Sequence, residues 1–162
     1  MNTSTKSEFQ SPTMGTMTLD DVKKAILTYM AEDASSQYRL VIGTDSQPKN
    51  GTVDFVTALV VHRVGNGGIY FWKRTVQNKK YVLQERIYTE ASMSLSFATD
   101  FFGSFNHNGM SHYETEIHVD IGNVGETKVM IAEVVGMIRG SGFTVRTKPD
   151  SYGASKVADR HT

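Results

Sequence analysis

The chain has no cysteine among its 162 residues. Disulfide scaffolds, zinc fingers, iron–sulfur sites and thiol catalysis are therefore excluded. An excess of charge of one sign is also missing, because 17 Lys and Arg residues balance 17 Asp and Glu residues. This balance excludes a polybasic nucleic-acid coat but leaves a local basic patch open. No apolar run approaches the ~18 residues of a membrane span, and the polar N-terminus has no apolar leader segment. We therefore expect a cytoplasmic protein without a membrane partner.

The N-terminal region divides into a polar stretch and a helix. Residues 1–16 are rich in Ser, Thr and Gly and lack a lasting apolar period, which predicts a flexible tail. A single domain is expected over residues 17–162, because that length suits one hydrophobic core. Thr18 and Asp21 form a capping-box pattern before an apolar helical stripe, so an extra N-terminal helix is predicted over about 18–31.

The rest of the chain alternates between strand and helix patterns. Apolar and β-branched runs predict strands, and apolar residues repeating every three to four positions predict helices. In chain order we predict strands over 38–44, 54–64 and 69–76, a helix over 80–101, a strand over 116–121, a helix over 126–139, a strand over 143–147 and a terminal helix within 150–160. Three strands with short connections followed by two strand–helix units indicate an α/β domain, in which helices flank a mixed five-stranded sheet.

Carboxylates in apolar surroundings are the most informative residues. Asp45 ends the first predicted strand, where a turn is the simpler interpretation of that residue alone. Within residues 117–121 the apolar side chains occupy one face of the predicted strand, and His118 and Asp120 occupy the other. A carboxylate in a central strand costs roughly several kcal/mol unless a cation or hydrogen bonds offset it. The position of Asp120 therefore indicates a functional role. The alternative is that the segment is an edge strand whose polar face is solvated.

Helical phase singles out one glutamate. At 100° per residue from Leu83, Glu90 lies at about 340°, inside the apolar stripe, while Glu85 lies near 200° on the solvated face. Glu90 is therefore the acid that needs a partner. The simpler interpretation is that its side chain reaches solvent at the margin of the stripe. Glu85 is the alternative acid if the helix begins later or bends. Asp150 precedes the terminal helix and Asp159 lies within it, so both compete for a fourth acidic position, although an Asp at a helix start is commonly a cap.

Several carboxylates at one point repel one another unless a cation binds between them. In a chain without cysteine the ligands are mostly oxygen atoms, and the hard ions Mg²⁺ and Mn²⁺ fit them best. Two such ions about 3.5–4 Å apart would activate a water molecule and stabilise the leaving oxygen in phosphodiester hydrolysis. We therefore predict a catalytic metal site formed by Asp45, Glu90, Asp120 and Asp150.

Four segments of the sequence are distinctive. They are YRLVIGTDSQ (38–47), LQERIYTE (83–90), EIHVDIGNVGETK (116–128) and KPDSYGAS with VADRHT at the end. With the order of the elements, they resemble the ribonuclease H-like superfamily, and within it the YkuK family of predicted ribonuclease H-related nucleases. The resemblance covers about residues 17–162 and implies a ribonuclease H-like fold.

By that resemblance, Asp45 matches the acid of the first strand, Glu90 the acid of the helix and Asp120 the acid of the fourth strand. Asp150 and Asp159 both lie near the place of the fourth acid. The resemblance implies a metal-dependent nuclease acting on RNA, an RNA–DNA hybrid or structured DNA, with no particular substrate named. The alternatives are a non-catalytic nucleic-acid-binding module of the same fold and a phosphate-ester hydrolase acting on small molecules.

Several residues near these acids are candidate substrate contacts. They are Ser46, His118, Lys148, Lys156 and Arg160. Lysine and arginine side chains bind a phosphate backbone through charge without reading its sequence. His118 shares a face with Asp120 and could orient it or meet the substrate, and a buried, hydrogen-bonded histidine is the alternative.

Overall fold

The computed structural model describes residues 8–105, 113–122, 128–148, 150–151, 157 and 161. The elements are β1 (Phe9–Ser11), β2 (Gly15–Met17), α1 (Leu19–Glu32), β3 (Tyr38–Lys49), β4 (Thr52–Arg63), β5 (Gly68–Gln77), α2 (Leu83–Ser104), β6 (Tyr113–His118), a 3₁₀ helix (Lys128–Met130), α3 (Ile131–Gly140) and β7 (Thr144–Arg146). The strands form one mixed sheet in the order β2-β1-β5-β4-β3-β6-β7. Within the described residues, no helix has the length and apolar character needed to cross a membrane.

The sheet has seven strands and not the five predicted. The two additional strands, β1 and β2, lie mostly in the segment 1–16, so the prediction of a flexible tail is wrong from Phe9 onward. Phe9 is 1% exposed, and its ring centre lies 5.6 Å from that of Phe97. Burial of this ring and the pairing of Gln10 with Trp72 of β5 hold the edge of the sheet in place.

Helix α1 has the predicted N-terminal cap. The Thr18 hydroxyl accepts a hydrogen bond from the Asp21 backbone N–H at 3.1 Å, and the Asp21 carboxylate accepts one from the Thr18 backbone N–H at 3.0 Å. These reciprocal bonds satisfy two backbone donors at the helix end. The capping box predicted from the sequence is therefore confirmed.

Replacing Thr18 by Ala is expected to lower the free energy of unfolding by about 1 kcal/mol, because a first-turn N–H loses its acceptor. Chemical denaturation followed by circular dichroism measures this loss. Thr28→Ala, at an exposed position of the same helix, is the matched control and should be neutral or slightly stabilising, since Ala has the higher helix propensity. An equal loss in both variants would contradict the capping role.

Strands β3 and β4 are longer than predicted and meet at the two-residue turn Asn50–Gly51. Gly51 has a φ of 76°, a conformation that glycine adopts without steric cost, and Asn-Gly is the preferred pair for such a hairpin. Asp45 consequently lies inside β3, opposite Val56 of β4, and not at a strand end as predicted.

Strand β6 ends three residues earlier than the predicted strand over 116–121. Its parallel pairing with β3 runs as far as Gly43 opposite His118. Asp120 lies two residues beyond His118, and Asp45 lies two residues beyond Gly43, so the two aspartates come level where the strands part. The divergence of two parallel strands at their carboxyl ends opens a crevice, which is where ligands bind in sheets of this kind.

The remaining elements differ from the prediction mainly at their boundaries. Helix α2 begins at Leu83, three residues after its predicted start. The helix predicted over 126–139 is divided between the 3₁₀ helix and α3, with residues 123–127 outside the described residues. The terminal helix predicted within 150–160 also lies largely outside them.

The two faces of the sheet have different covers. We call the side covered by α1, α2 and α3 the helix face, and Leu40 and Ile42 lie there in the main core. We call the opposite side the back face. On this face the sheet residues Val41, Val56 and Ala58 form a small apolar cluster. The cluster packs against Val60, Trp72 and Val157.

Candidate active site

Glu90 is the buried acid of helix α2. It is 8% exposed, and the Ser46 hydroxyl donates a 2.5 Å hydrogen bond to its Oε1. Burial is the main cause that raises the pKa of Glu90 to about 8; Asp45 and Asp120 add to the rise, while Ser46 and Arg86 oppose it. Asp45 of β3 and Asp120 of the segment after β6 are therefore the two acids whose charges act on Glu90.

Glu85 faces away from this convergence. Its side chain is 47% exposed, and its Oε2 lies 3.3 Å from Lys79 Nζ. Helical phase thus placed Glu90 on the buried side and Glu85 on the solvated side correctly. The position of Glu85 gives no support to its use as an alternative ligand.

Glu90→Gln is expected to raise the free energy of unfolding by roughly 1–2 kcal/mol in a chelating buffer. The amide keeps the shape and the acceptor for Ser46 but removes a group whose charge is disfavoured by burial and by two nearby acids. Glu85→Gln is the matched control on the same helix and should change stability by less than about 0.5 kcal/mol. Thermal unfolding checks both variants, and a destabilised Glu90→Gln would contradict the repulsive environment.

Asp120 is partly exposed and forms a surface ion pair. Its side chain is 38% exposed, and its Oδ1 lies 3.0 Å from Nζ of Lys148, whose side chain is 56% exposed. An ion pair with this much solvent contact contributes at most about 1 kcal/mol. A cation or a phosphate group could therefore separate Lys148 from Asp120 at little cost.

Asp150 is exposed, and its backbone N–H donates to the Thr147 carbonyl oxygen at 2.7 Å. It is not among the groups that act on the pKa of Glu90. Of the four predicted acids, Asp45 and Asp120 thus act on Glu90 through their charge, and Asp150 does not. The predicted residues that lie outside the described part of the chain are Lys156, Asp159 and Arg160.

Ser46 and His118, both predicted as substrate contacts, are buried and engaged with other side chains. Ser46 is 8% exposed and donates to Glu90, so it positions that acid and does not face solvent. His118 is 3% exposed, and its Nε2 lies 3.0 Å from Glu116 Oε2. Of the two alternatives for His118, the structure favours the buried, hydrogen-bonded histidine, and this burial lowers its pKa.

Glu116 is a buried carboxylate that the sequence analysis did not single out. Its Oε1 lies 3.6 Å from Arg39 Nε and 3.4 Å from Arg146 Nε. Burial acts to raise the pKa of Glu116, but the His118 hydrogen bond and the two arginines outweigh it and hold the pKa below its usual value. The signal was present in the sequence, because Glu116, His118 and Asp120 recur at two-residue spacing. This cluster anchors β6 on the back face just before the site.

The donor set suits a hard cation, although the side chains are not arranged to hold one. Within the described ranges, no three Asp, Glu, His or Cys side chains form a ready coordination group. Glu90 is directed to Ser46, and Asp120 is directed to Lys148. All the convergent ligands are carboxylate oxygens, which Mg²⁺ and Mn²⁺ prefer, and a cation would offset the repulsion around Glu90.

Three comparisons relate this chain to known proteins. A family model described as Ribonuclease H-like matches residues 21–162. The chain is 36% identical over 158 residues to the uncharacterized protein YkuK of Bacillus subtilis (strain 168), an alignment that covers 90% of this chain and 91% of that protein. Among solved structures, it is similar to ribonuclease H1 from the halophilic archaeon Halobacterium salinarum NRC-1, with 15% identity and a TM-score of 0.39, over 76% of this chain and 99% of that one.

Proposed function

Because this chain belongs to the Ribonuclease H-like family, we propose that it is a divalent-cation-dependent nuclease. Its substrate in this proposal is RNA, an RNA–DNA hybrid or structured DNA. The observation that carries the proposal is that Asp45 and Asp120 come level where β3 and β6 part, and that the charges of both act on the buried Glu90. Ionised carboxylates near one another repel, which costs free energy, and a bound cation offsets this repulsion.

Each residue has a defined part in the proposed reaction. Two Mg²⁺ or Mn²⁺ ions bound here would supply the positive charge that activates a water molecule and stabilises the leaving oxygen. Asp45 from β3 and Asp120 from the segment after β6 would supply two of the ligands, and Glu90 would supply a third from the helix face, oriented by Ser46. Lys148, once separated from Asp120, presents its exposed amino group to a phosphate oxygen.

A non-catalytic nucleic-acid-binding module is the second candidate function. The observation that favours it is the ion pair between Lys148 and Asp120, which neutralises one of the three acids without a cation. In that function the site would bind a phosphate backbone through basic side chains and would not hydrolyse it. The balance of 17 acidic and 17 basic residues suits modest, local binding of this kind.

A cleavage panel separates the two functions. The purified protein is incubated with end-labelled single-stranded RNA, single-stranded DNA, an RNA–DNA hybrid and a DNA junction, in Mn²⁺, in Mg²⁺ and in chelator. A small phosphate ester serves as the control substrate. The nuclease proposal expects products from at least one nucleic acid, with cleavage abolished by chelator. Binding without products at every cation concentration would overturn it in favour of the binding module.

A further inference from the structure

The indole ring of Trp72 lies beneath the imidazole ring of His161 on the back face. Their ring centres are 4.3 Å apart and their planes differ by 13°. The Tyr70 hydroxyl lies 3.4 Å from His161 Nε2, and an Arg74 guanidinium N–H donates to the His161 carbonyl oxygen. A flat heteroaromatic ring stacked on an aromatic side chain, with polar groups at its edge, is how proteins hold an unpaired nucleobase.

This stacked pair lies on the same face of the sheet as Asp45. Cross-strand pairing joins Asp45 to Val56 and Val56 to Arg74. Arg74 is therefore two strand spacings from Asp45, or about 10 Å between backbones. Trp72 lies two residues along β5 from Arg74 and faces the same way. A nucleic-acid strand with one phosphate at the acids would carry a nearby base towards Trp72.

Among the described residues, two cationic side chains and one carboxylate form an ion cluster beside Trp72. The Arg74 guanidinium lies 5.8 Å from the Trp72 ring centre. Asp54 is the acid beside it, with its Oδ2 3.7 Å from Arg74 Nε and 2.6 Å from Lys49 Nζ. Two cations therefore share one buried carboxylate, and the remaining positive charge complements a phosphate backbone.

Trp72 also has an apolar contact on the back face, besides its contact with His161. Val157, four residues earlier, packs against Val41, Val56 and Ala58 on the back face. Trp72 packs against the same apolar cluster. Displacement of His161 would uncover the ring face on which it stacks and leave this apolar contact in place.

We infer that Trp72, with Tyr70 and Arg74 at its edge, is a stacking site for a base of a single-stranded nucleic acid, and that His161 occupies this site in the free protein. The class of ligand rests on the proposed function. Stacking of one base on an aromatic side chain changes affinity by about 5- to 150-fold. An aromatic side-chain pair such as the one with His161 corresponds to about 2- to 12-fold. An incoming base has to replace this stacking and the contacts of His161 with Tyr70 and Arg74.

The test uses the fluorescence of Trp72, which reports on this site alone because the chain has one tryptophan. The full chain in chelator is titrated with a single-stranded oligonucleotide of mixed sequence, and a saturable change in Trp72 emission is expected. By anisotropy of a labelled oligonucleotide, Trp72→Leu should bind about 5- to 150-fold more weakly, and Trp72→Phe should keep most of the affinity. His161→Ala should bind about 2- to 12-fold more tightly.

Tyr81→Leu is the matched control, because Tyr81 is an aromatic residue packed against Phe55 on the other face of the sheet. Its affinity for the oligonucleotide should be unchanged. If Trp72→Leu fails to fold, His161→Ala is titrated with the same oligonucleotide, and a saturable change in its Trp72 emission is expected. Oligonucleotide binding with constant Trp72 emission would overturn the inference, make the contact a structural one and leave the nuclease proposal standing. Absence of both binding and cleavage would overturn both proposals.

Discussion

Asp45→Asn and Asp120→Asn are each expected to lower phosphodiester hydrolysis on the order of 10³-fold or more, because activation of water and stabilisation of the leaving oxygen are lost together. Each substitution removes a negative charge and keeps the side-chain volume, so the fold should survive. Stability could even rise, since repulsion with Glu90 is relieved. Initial cleavage rates on a substrate that the parent cuts, together with thermal unfolding curves, measure both effects.

Asp20→Asn is the matched control for these variants, because Asp20 is an exposed aspartate on α1, and it should cleave like the parent. Oligonucleotide affinity should change far less than the rate, since it depends on basic and aromatic side chains. Asp150→Asn and Asp159→Asn are then compared, and the larger loss of rate identifies the fourth ligand. Parental cleavage rates in Asp45→Asn and Asp120→Asn would show that the proposed site is wrong.

Millimolar Mn²⁺ is expected to raise the midpoint of thermal unfolding by about 5–11 °C. Binding only to the folded state adds about 2.7 kcal/mol when the ion is at 100 times its dissociation constant, and 1 kcal/mol corresponds to roughly 2–4 °C for a chain of this length. The shift should disappear in the double variant Asp45→Asn with Asp120→Asn. Calorimetry or circular dichroism over a range of Mn²⁺ concentrations measures it.

Lys148→Gln tests whether the ion pair with Asp120 competes with cation binding. Removal of Lys148 frees Asp120 from its ion pair, so the same shift should occur at a lower Mn²⁺ concentration. Mg²⁺ should act in the same direction as Mn²⁺, because both take oxygen ligands. An unchanged unfolding curve of the parent protein at every concentration of both ions would contradict the cation site.

Features that depend on residues close together in the chain could be predicted from the sequence. The capping box at Thr18 was confirmed because its bonds lie within one turn of helix. The family predicted from the segments 38–47, 83–90 and 116–128 was also confirmed. The Asn50–Gly51 pair is a hairpin signal in the sequence, but the strand predicted over 38–44 ends before it.

Non-local pairing determines the parts that the sequence did not predict. Strand β1 has three residues, too few for a period, and it forms because Phe9 is buried against Phe97 and because the strand pairs with β5. The contact of Trp72 with His161 joins residues far apart in the chain. No local pattern encodes either contact, so both become visible only in the folded structure.

At the site, periodicity predicted which way side chains face but not what they contact. Helical phase placed Glu90 on the buried side, and strand alternation grouped His118 with Asp120. The partners Ser46 and Glu116 followed only from the packing of α2 on the sheet and of β6 between β3 and β7.

Paramagnetic broadening by Mn²⁺ tests the central claim most directly, namely that three carboxylates from separate elements form one cation site. Backbone amide signals of the isotopically labelled protein are recorded as Mn²⁺ is added below stoichiometry. The signals of Asp45, Glu90 and Asp120 are predicted to broaden first and together, while that of Asp33, which contacts Tyr38 at the other end of β3, stays sharp. Equal broadening at all exposed acids, or sharp signals at Asp45, Glu90 and Asp120 while others broaden, would contradict the site.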